Sequence, residues 1–137
     1  MSKAIKEYCS KTNQPCTESN GEYICCVLES LALKYKRVIE QIGKMTEKEI
    51  ERIYFVGGGS QNNLLNQFTV DVCGLPVVVG PVEATAPGNI LVQTVAKGNV
   101  ESIKKGREIV ASSFPVKAFL PVDVAKWDKV YQRFKFN

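Results

Sequence analysis

The stretch Val56-Gly57-Gly58-Gly59-Ser60-Gln61-Asn62-Asn63-Leu64-Leu65 joins a short apolar run to a segment with helical periodicity. The run before it, at residues 53–56, is β-branched and aromatic, which is typical of a buried strand. Residues 61–73 carry apolar side chains on one side and predict a helix that ends at Gly74. Residues 76–80 predict a second buried strand. A strand, a helix and a strand in so few residues predict a right-handed crossover and a parallel pair.

A long amphipathic helix is predicted before this unit. Ser19 and Glu22 have the spacing of a capping box, in which each side chain bonds a free backbone N–H of the other residue. Apolar residues then recur at helical spacing over residues 24–42, and Gly43 is the expected end of the helix. Residues 46–51 are compatible with a short helical turn.

Downstream of the second strand, the sequence predicts helices and one extended segment. They cover residues 86–98, residues 100–111 with Asn99 as the cap, the proline-marked extended residues 114–122, and residues 124–134. The chain is therefore predicted to be α/β, with several helices and few, short, parallel strands. Two parallel strands rarely form a sheet alone, because parallel sheets are normally wide and covered on both faces. We expect the remaining strands to come from a partner copy or from sequence that precedes Met1.

The composition excludes several classes of protein. With 137 residues, a net charge of +4 and 45% hydrophobic residues, the chain has the profile of one soluble globular domain. It has no histidine, which excludes Ser-His-Asp and Cys-His catalysis and any zinc site that contains histidine. The basic residues are spread along the chain, so no nucleic-acid partner is expected. No apolar run reaches the roughly 20 residues of a membrane span, and no signal-like N-terminus is present, so we expect a cytoplasmic protein.

The cysteines are predicted to be reduced. There are five of them, and no CxxC pair supports a metal or thioredoxin-like role. Free cysteines are among the most often buried residues, so partial packing in the core is the expected role. A bridge from Cys9 to Cys16 or to Cys26 is the alternative.

The glycine turn at residues 57–59 is the segment that suggests ligand binding. Glycines between a strand and a helix allow a sharp turn and close approach of a ligand, and the following helix N-terminus suits a phosphate. Ser60 or Asn62 can add side-chain hydrogen bonds. Neither the P-loop nor the dinucleotide-binding glycine spacing is present, and a tight turn without a ligand is the alternative. A second polar cluster, Glu83, Thr85, Gly88 and Asn89, is more typical of a helix-capping loop.

Several motifs resemble the C-terminal domain of the FGGY family of sugar kinases, which belongs to the actin/hexokinase/Hsp70 superfamily. They are GGGSQNNLLNQ at 57–67, GLPV at 74–77, GPVEATA at 80–86 and GNILVQ at 88–93. Residues 9–15, 29–35 and 106–114 are similar to it as well. The likeness therefore covers nearly the whole of residues 1–137.

The resemblance implies a partial ribonuclease-H-like lobe, as in actin-like ATPases, with its early strands missing. It also implies that the lobe binds ATP. In the family, the second glycine of the turn packs against the adenosine, and an asparagine four residues later reaches the adenine. These roles fall on Gly58 and Asn62, with Gly57 and Gly59 shaping the turn. Pro87 departs from the apolar residue that is usual in the family, which leaves the lining of the cleft less defined.

By the same resemblance, the catalytic aspartate, the sugar-binding residues and the first phosphate-binding turn belong to sequence before Met1. Asp71, Asp123 and Asp128 do not sit in the family's base motif, so no catalytic or metal-binding residue is assigned to this chain. We expect a lobe that is inactive alone, with Met1 as an internal start. Its expected partners are ATP or ADP and the missing N-terminal lobe, which would hold most of the Mg²⁺ contacts.

The sugar is less defined than the nucleotide. The runs at 61–67 and 80–85 favour the family members that phosphorylate L-rhamnulose, while xylulose, fuculose and glycerol kinases stay as alternatives. A second hypothesis is that the chain is a stand-alone module without catalytic activity. It would form a homodimer through an exposed strand edge or helix face, since unpaired edges and apolar patches attract partners.

Overall fold

A computed structural model describes residues 2–16 and 19–133, and within them the chain is α/β as predicted. The helices are α1 (Ser2–Lys11), α2 (Asn20–Thr46), α3 (Asn63–Cys73), α4 (Thr85–Ala96), α5 (Ile103–Ser113) and α6 (Val124–Arg133). The strands are β1 (Ile53–Phe55), β2 (Val77–Val79) and β3 (Lys117–Phe119), and a 3-10 turn covers Gly58–Gln61. Helix α1 has no counterpart in the sequence prediction. Residue 134, predicted as part of the last helix, lies outside the described residues.

The sheet has the order β1-β2-β3 within the described chain. Strands β1 and β2 are parallel, as predicted, with Tyr54 opposite Val78. The expectation that the strands are all parallel is wrong, because β3 pairs with β2 in the antiparallel direction and sets Lys117 opposite Val79. Prolines at 115 and 121 limit this strand to three paired residues, too few for a periodic pattern to be visible in the sequence.

The capping box at the start of α2 is confirmed. The Ser19 backbone N–H donates to Glu22 Oε2 at 3.0 Å, and the Glu22 N–H donates to Ser19 Oγ at 3.2 Å. The predicted end at Gly43 is wrong, since the helix continues to Thr46 and ends at Glu47 in the left-handed region. The predicted helical turn at 46–51 is also wrong. A Cβ at position 43 would lie 3.4 Å from the Lys48 carbonyl oxygen, so Gly43 lets the returning chain pass close to the helix.

The C-terminal helices begin near their predicted positions. Helix α4 starts at Thr85, and α6 begins at Val124 as expected. Helix α5 starts later than predicted, because Ser102 rather than Asn99 is its cap: Ser102 Oγ accepts from the Lys105 N–H at 3.2 Å. The Asn99 N–H instead donates to the Thr94 carbonyl at 2.9 Å and closes the end of α4.

The core lies between α2, α3 and α6. Its buried members are Ala32, Leu33, Val72 and Trp127. Phe68 packs against the Trp127 ring with centroids 5.6 Å apart. This three-helix cluster covers one side of α3, and the short strands cover another.

Polar contacts fasten α6 and the loop before it. On the loop side, the buried Asp71 carboxylate accepts from the backbone N–H groups of Val122 at 2.8 Å and Asp123 at 3.3 Å. On the α2 side, Lys36 Nζ lies 2.6 Å from Asp128 Oδ1. The last turn of α3 is thereby tied to the chain that follows β3.

The long helix buries a face other than its most apolar one. Ala32 and Leu33 enter the core, whereas Ile24, Val38 and Ile42 are 57%, 41% and 45% exposed. These exposed residues belong to a row of apolar side chains whose spacing alternates between four and three residues, and the other members of the row are exposed or half-buried. We call it the α2 stripe; it comprises Ile24, Leu28, Leu31, Tyr35, Val38, Ile42 and Met45.

The cysteines are free thiols, as predicted. Cys16 is exposed and the other four are half-buried, which agrees with the predicted partial packing. Burial raises the pKa of the Cys73 thiol to about 12, which makes it a poor nucleophile at neutral pH. Among the described helices, none is long and apolar enough to cross a membrane.

Gly106 is required where α5 crosses α4. A Cβ there would lie 1.7 Å from Leu91 Cδ1 and 2.9 Å from Leu91 Cγ, so Gly106→Ala forces the Leu91 side chain or the two helices to shift. We expect it to lower the free energy of unfolding by about 1–3 kcal/mol, the usual range for overpacking. The matched control is Gly88→Ala in α4, where an added Cβ meets no atom within 4 Å.

The control substitution is expected to be neutral or stabilising by up to about 1 kcal/mol, because alanine favours a helix over glycine. Urea unfolding of both variants measures the difference. Equal stability of Gly106→Ala and Gly88→Ala would contradict the close packing of these helices.

Candidate functional site

The glycine turn lies where two parallel strands end. It follows β1 directly, and the Gly57 N–H donates to the Pro81 carbonyl at 3.3 Å, just beyond β2. The Gly80 N–H donates in turn to the Phe55 carbonyl at 2.8 Å. The ends of β1 and β2 are thus held together. Ligands of parallel sheets bind at this end of the strands.

The three glycines differ in their conformational role. Gly57 has φ +82°, a conformation that side chains with a Cβ rarely adopt, so the turn itself requires glycine there. Gly58 and Gly59 do not have a positive φ. A Cβ on either of them would meet no atom within 4 Å, and both are exposed. Packing inside the described chain therefore does not explain glycine at 58 and 59.

Ser60 stabilises the turn and is not free for a ligand. It is 2% exposed, and its hydroxyl donates to the Gly57 carbonyl at 2.6 Å. Its backbone N–H donates to the same oxygen at 3.1 Å. The Ser60 side chain is therefore part of the turn's internal structure, contrary to the alternative in which it bonds a ligand.

Asn62 is the N-cap of α3, a role that the sequence analysis did not predict. Its Oδ1 accepts from the Leu65 N–H at 3.0 Å, and its side chain is exposed. The helix therefore begins at Asn63 and not at residue 61. The side-chain oxygen already accepts the capping hydrogen bond. The group that can meet a ligand is therefore the amide NH₂ at Nδ2, which is a donor.

An open cavity of about 520 Å³ adjoins the turn. This volume lies within the range of about 300–1,000 Å³ that is usual for small-molecule sites. Three chain segments line it, and their residues are Ser60, Gln61, Asn63, Val79, Gly80, Pro81, Val82, Glu83, Phe114, Pro115 and Lys117. The predicted site residues Gly57, Gly58, Gly59 and Asn62 stand beside the cavity in sequence and do not line it.

The walls of the cavity combine apolar surface with two opposite charges. Val82, Phe114 and Pro115 supply the apolar part, and Glu83 and Lys117 supply the charges. Such a mixture suits a ligand that has both a flat apolar part and polar groups. Within the described residues, no group of three or more His, Cys, Asp or Glu side chains could hold a metal ion.

The sequence analysis did not predict one wall of the cavity. Phe114, Pro115 and Lys117 reach the cavity because β3 runs antiparallel to β2, which brings its start to the carboxyl end of that strand. The signal in the sequence was the extended segment 114–122, but nothing in it gave the pairing. Of the second polar cluster predicted after β2, only Glu83 is among the lining residues.

Comparisons with known proteins point to a family of sugar-phosphorylating enzymes. A family model for "FGGY family of carbohydrate kinases, C-terminal domain" matches residues 2–97. The chain is 44% identical over 135 residues to the rhamnulokinase of Bacteroides thetaiotaomicron, covering 98% of this chain and 28% of that protein. It is 44% identical over 124 residues to the rhamnulokinase of Bacillus subtilis, covering 90% and 26%. The chain thus spans about a quarter of the length of these relatives.

Proposed function

The chain belongs to the FGGY family of carbohydrate kinases, as a C-terminal domain, and we propose that it is the ATP-binding part of a sugar kinase. The whole enzyme would transfer the γ-phosphoryl group of ATP to a hydroxyl of the sugar. L-rhamnulose, giving L-rhamnulose 1-phosphate, is the substrate that similarity to rhamnulokinases favours. Xylulose, fuculose and glycerol are weaker alternatives. A cytoplasmic location, where ATP is available, fits this activity.

The observation that carries the proposal is the open space in front of Gly58. Two exposed glycines stand at the ends of parallel strands, and no part of the described chain fills the room that a Cβ would take. A ligand that approaches the backbone closely explains glycine at these positions better than packing does. The turn without a ligand therefore becomes the weaker interpretation.

The adenine is proposed to lie at the turn and its adjoining cavity. The apolar walls at Val82, Phe114 and Pro115 suit a flat base. Asn62 Nδ2 would donate to an acceptor nitrogen of the base, while Oδ1 stays with the Leu65 N–H. Gly58 would pack against the adenosine, and Gly57 and Gly59 would shape the turn.

Catalysis and most of the metal binding are assigned to another part of the whole enzyme. Kinases of this type need an aspartate to accept the hydroxyl proton and Mg²⁺ to offset charge on the phosphates. We propose that an N-terminal lobe supplies the base and most Mg²⁺ contacts, and that this chain alone is inactive. The ribonuclease-H-like organisation with missing early strands remains part of this proposal.

The surface for the missing strands is proposed to be the edge of β1 together with the α2 stripe. Strand β1 is at one end of the sheet order, and its Tyr54 is 63% exposed. Tyr35 of the α2 stripe meets the Phe55 ring of β1, with centroids 5.7 Å apart. Strands added to β1 would therefore extend the sheet beside the stripe and cover exposed apolar surface.

Two substitutions test nucleotide binding at the turn. Asn62→Ser keeps an oxygen that can cap α3 but removes the Nδ2 donor, so ADP should bind about two- to tenfold more weakly, as for loss of one hydrogen bond. Gly58→Val fills the open space and should weaken binding at least as much. ADP titration followed by NMR on the 137-residue chain measures both effects.

Ser102→Ala is the control, because it removes the cap of α5 away from the turn. It should reduce stability while ADP affinity stays unchanged. If ADP binds the parent chain and both turn variants equally well, the assignment of the site to Gly58 and Asn62 is wrong.

A specific observation also favours the second candidate, a non-catalytic homodimer. The α2 stripe keeps the strict alternation of four and three residues that is typical of helix pairs in coiled coils. Its members Ile42 and Met45 are 45% and 84% exposed. Two copies could therefore pair through this face.

Sedimentation of the chain at micromolar concentration tests this candidate. If the chain is a homodimer, the parent should sediment as a dimer. Ile42→Lys should dissociate this dimer, because the substitution would bury a charge in an apolar contact. Gln41→Lys adds the same charge at the neighbouring exposed position and should leave the dimer intact. A monomeric parent chain would exclude the homodimer and leave the stripe to the other lobe.

A further inference from the structure

Asn66 lies in the first turn of α3, directly beneath the glycine turn. Its side chain is 0% exposed, and its Nδ2 donates to the Ser60 carbonyl oxygen at 2.8 Å. We infer that Asn66 is a positioning residue that holds the glycine turn in its ligand-binding form without touching the ligand. The inference rests on the proposed nucleotide site.

The turn is fastened at both ends, and Asn66 supplies one of the fastenings. At one end, Gly57 is bonded to the Pro81 carbonyl through its N–H. At the other end, Ser60 is bonded to the Gly57 carbonyl through its hydroxyl and its N–H, and to Asn66 through its own carbonyl. The exposed Gly58 and Gly59 lie between these ends. Without the Asn66 amide, Ser60 would keep its bonds to Gly57 but lose its link to α3.

The amide at position 66 is unfavourable for packing alone. Asn66 Oδ1 is a buried acceptor with no hydrogen-bond partner in the described part of the chain. A buried polar atom left unpaired destabilises the folded state, and an apolar side chain would avoid this loss. The hydrogen bond that the Asn66 side chain does make is the one to the turn. Polar residues that lower stability in a core are expected at functional sites.

Thr69 provides the contrast on the same helix. It is also 0% exposed, but its hydroxyl donates to the Leu65 carbonyl at 2.7 Å, within α3. Thr69 therefore buries a polar group without linking the helix to the turn. Thr69→Val is a matched control, since it too replaces a buried polar side chain by an apolar one.

The experiment compares Asn66→Leu with Thr69→Val in the full 137-residue chain. Hydrogen exchange followed by NMR reports on the Ser60 and Asn62 N–H groups, which both donate within the turn. In Asn66→Leu these two groups should exchange at least tenfold faster, relative to Val70 in the helix interior. ADP should bind at least threefold more weakly, while the thermal midpoint stays within a few degrees of the parent or rises. In Thr69→Val, exchange in the turn and ADP affinity should both match the parent.

Leucine is larger than asparagine, so Asn66→Leu could overpack the core and prevent folding. A second pair of variants with smaller side chains avoids this problem. Asn66→Ala and Thr69→Ala both leave space in the core, and only the first should speed exchange in the turn beyond that of Val70. The inference is overturned if exchange in the turn is unchanged in the Asn66 variants, or rises only as much as at Val70. If the parent chain shows no ADP binding, the proposal that this chain forms a nucleotide site by itself fails, and the exchange comparison still decides whether Asn66 positions the turn.

Discussion

The burial of α3 is the constraint on which the rest of the structure depends. Val70 and Val72 are fully buried, and the helix packs against α2, α6 and the strands. A helix enclosed in this way has a fixed position. Because β1 ends at Phe55 and α3 begins at Asn63, residues 56–62 must connect two fixed elements. The conformation of the glycine turn therefore follows from the core and does not need a ligand to form.

Buried polar groups on α3 carry this rigidity to its surroundings. Asp71 bonds the loop before α6, and Asn66 bonds the glycine turn. Unlike Thr69, whose hydroxyl bonds within α3, each of these two side chains binds backbone outside the helix. Such contacts fix neighbouring chain segments more closely than apolar packing does, since hydrogen bonds are directional. A nucleotide at the turn would meet backbone that is already in place, which lowers the entropic penalty of binding.

Short sequence patterns predicted the helices and strands near the turn. The pairing of strands that are distant in sequence was not predictable. The capping box at Ser19, the strand β1 and the stop at Gly74 follow from residue chemistry within a few positions. The extended segment that contains β3 was predicted, but its antiparallel pairing with β2 was not, so the cavity wall at Lys117 was missed. The buried face of α2 was not predictable for a related reason: the most apolar side of that helix is not the side that enters the core. The roles of Ser60 and Asn62 needed hydrogen-bond geometry that spacing alone does not supply.

The central claim is that a nucleotide binds where β1 and β2 end, between the glycine turn and the cavity. Photolabelling with ADP that carries an azide on the adenine ring tests it most directly, with labelled peptides identified by mass spectrometry. The account predicts labels within residues 57–63, 79–83 or 114–117, which excess ADP removes. Labels confined to α1 or α5, or labels at the turn that excess ADP leaves unchanged, would contradict it.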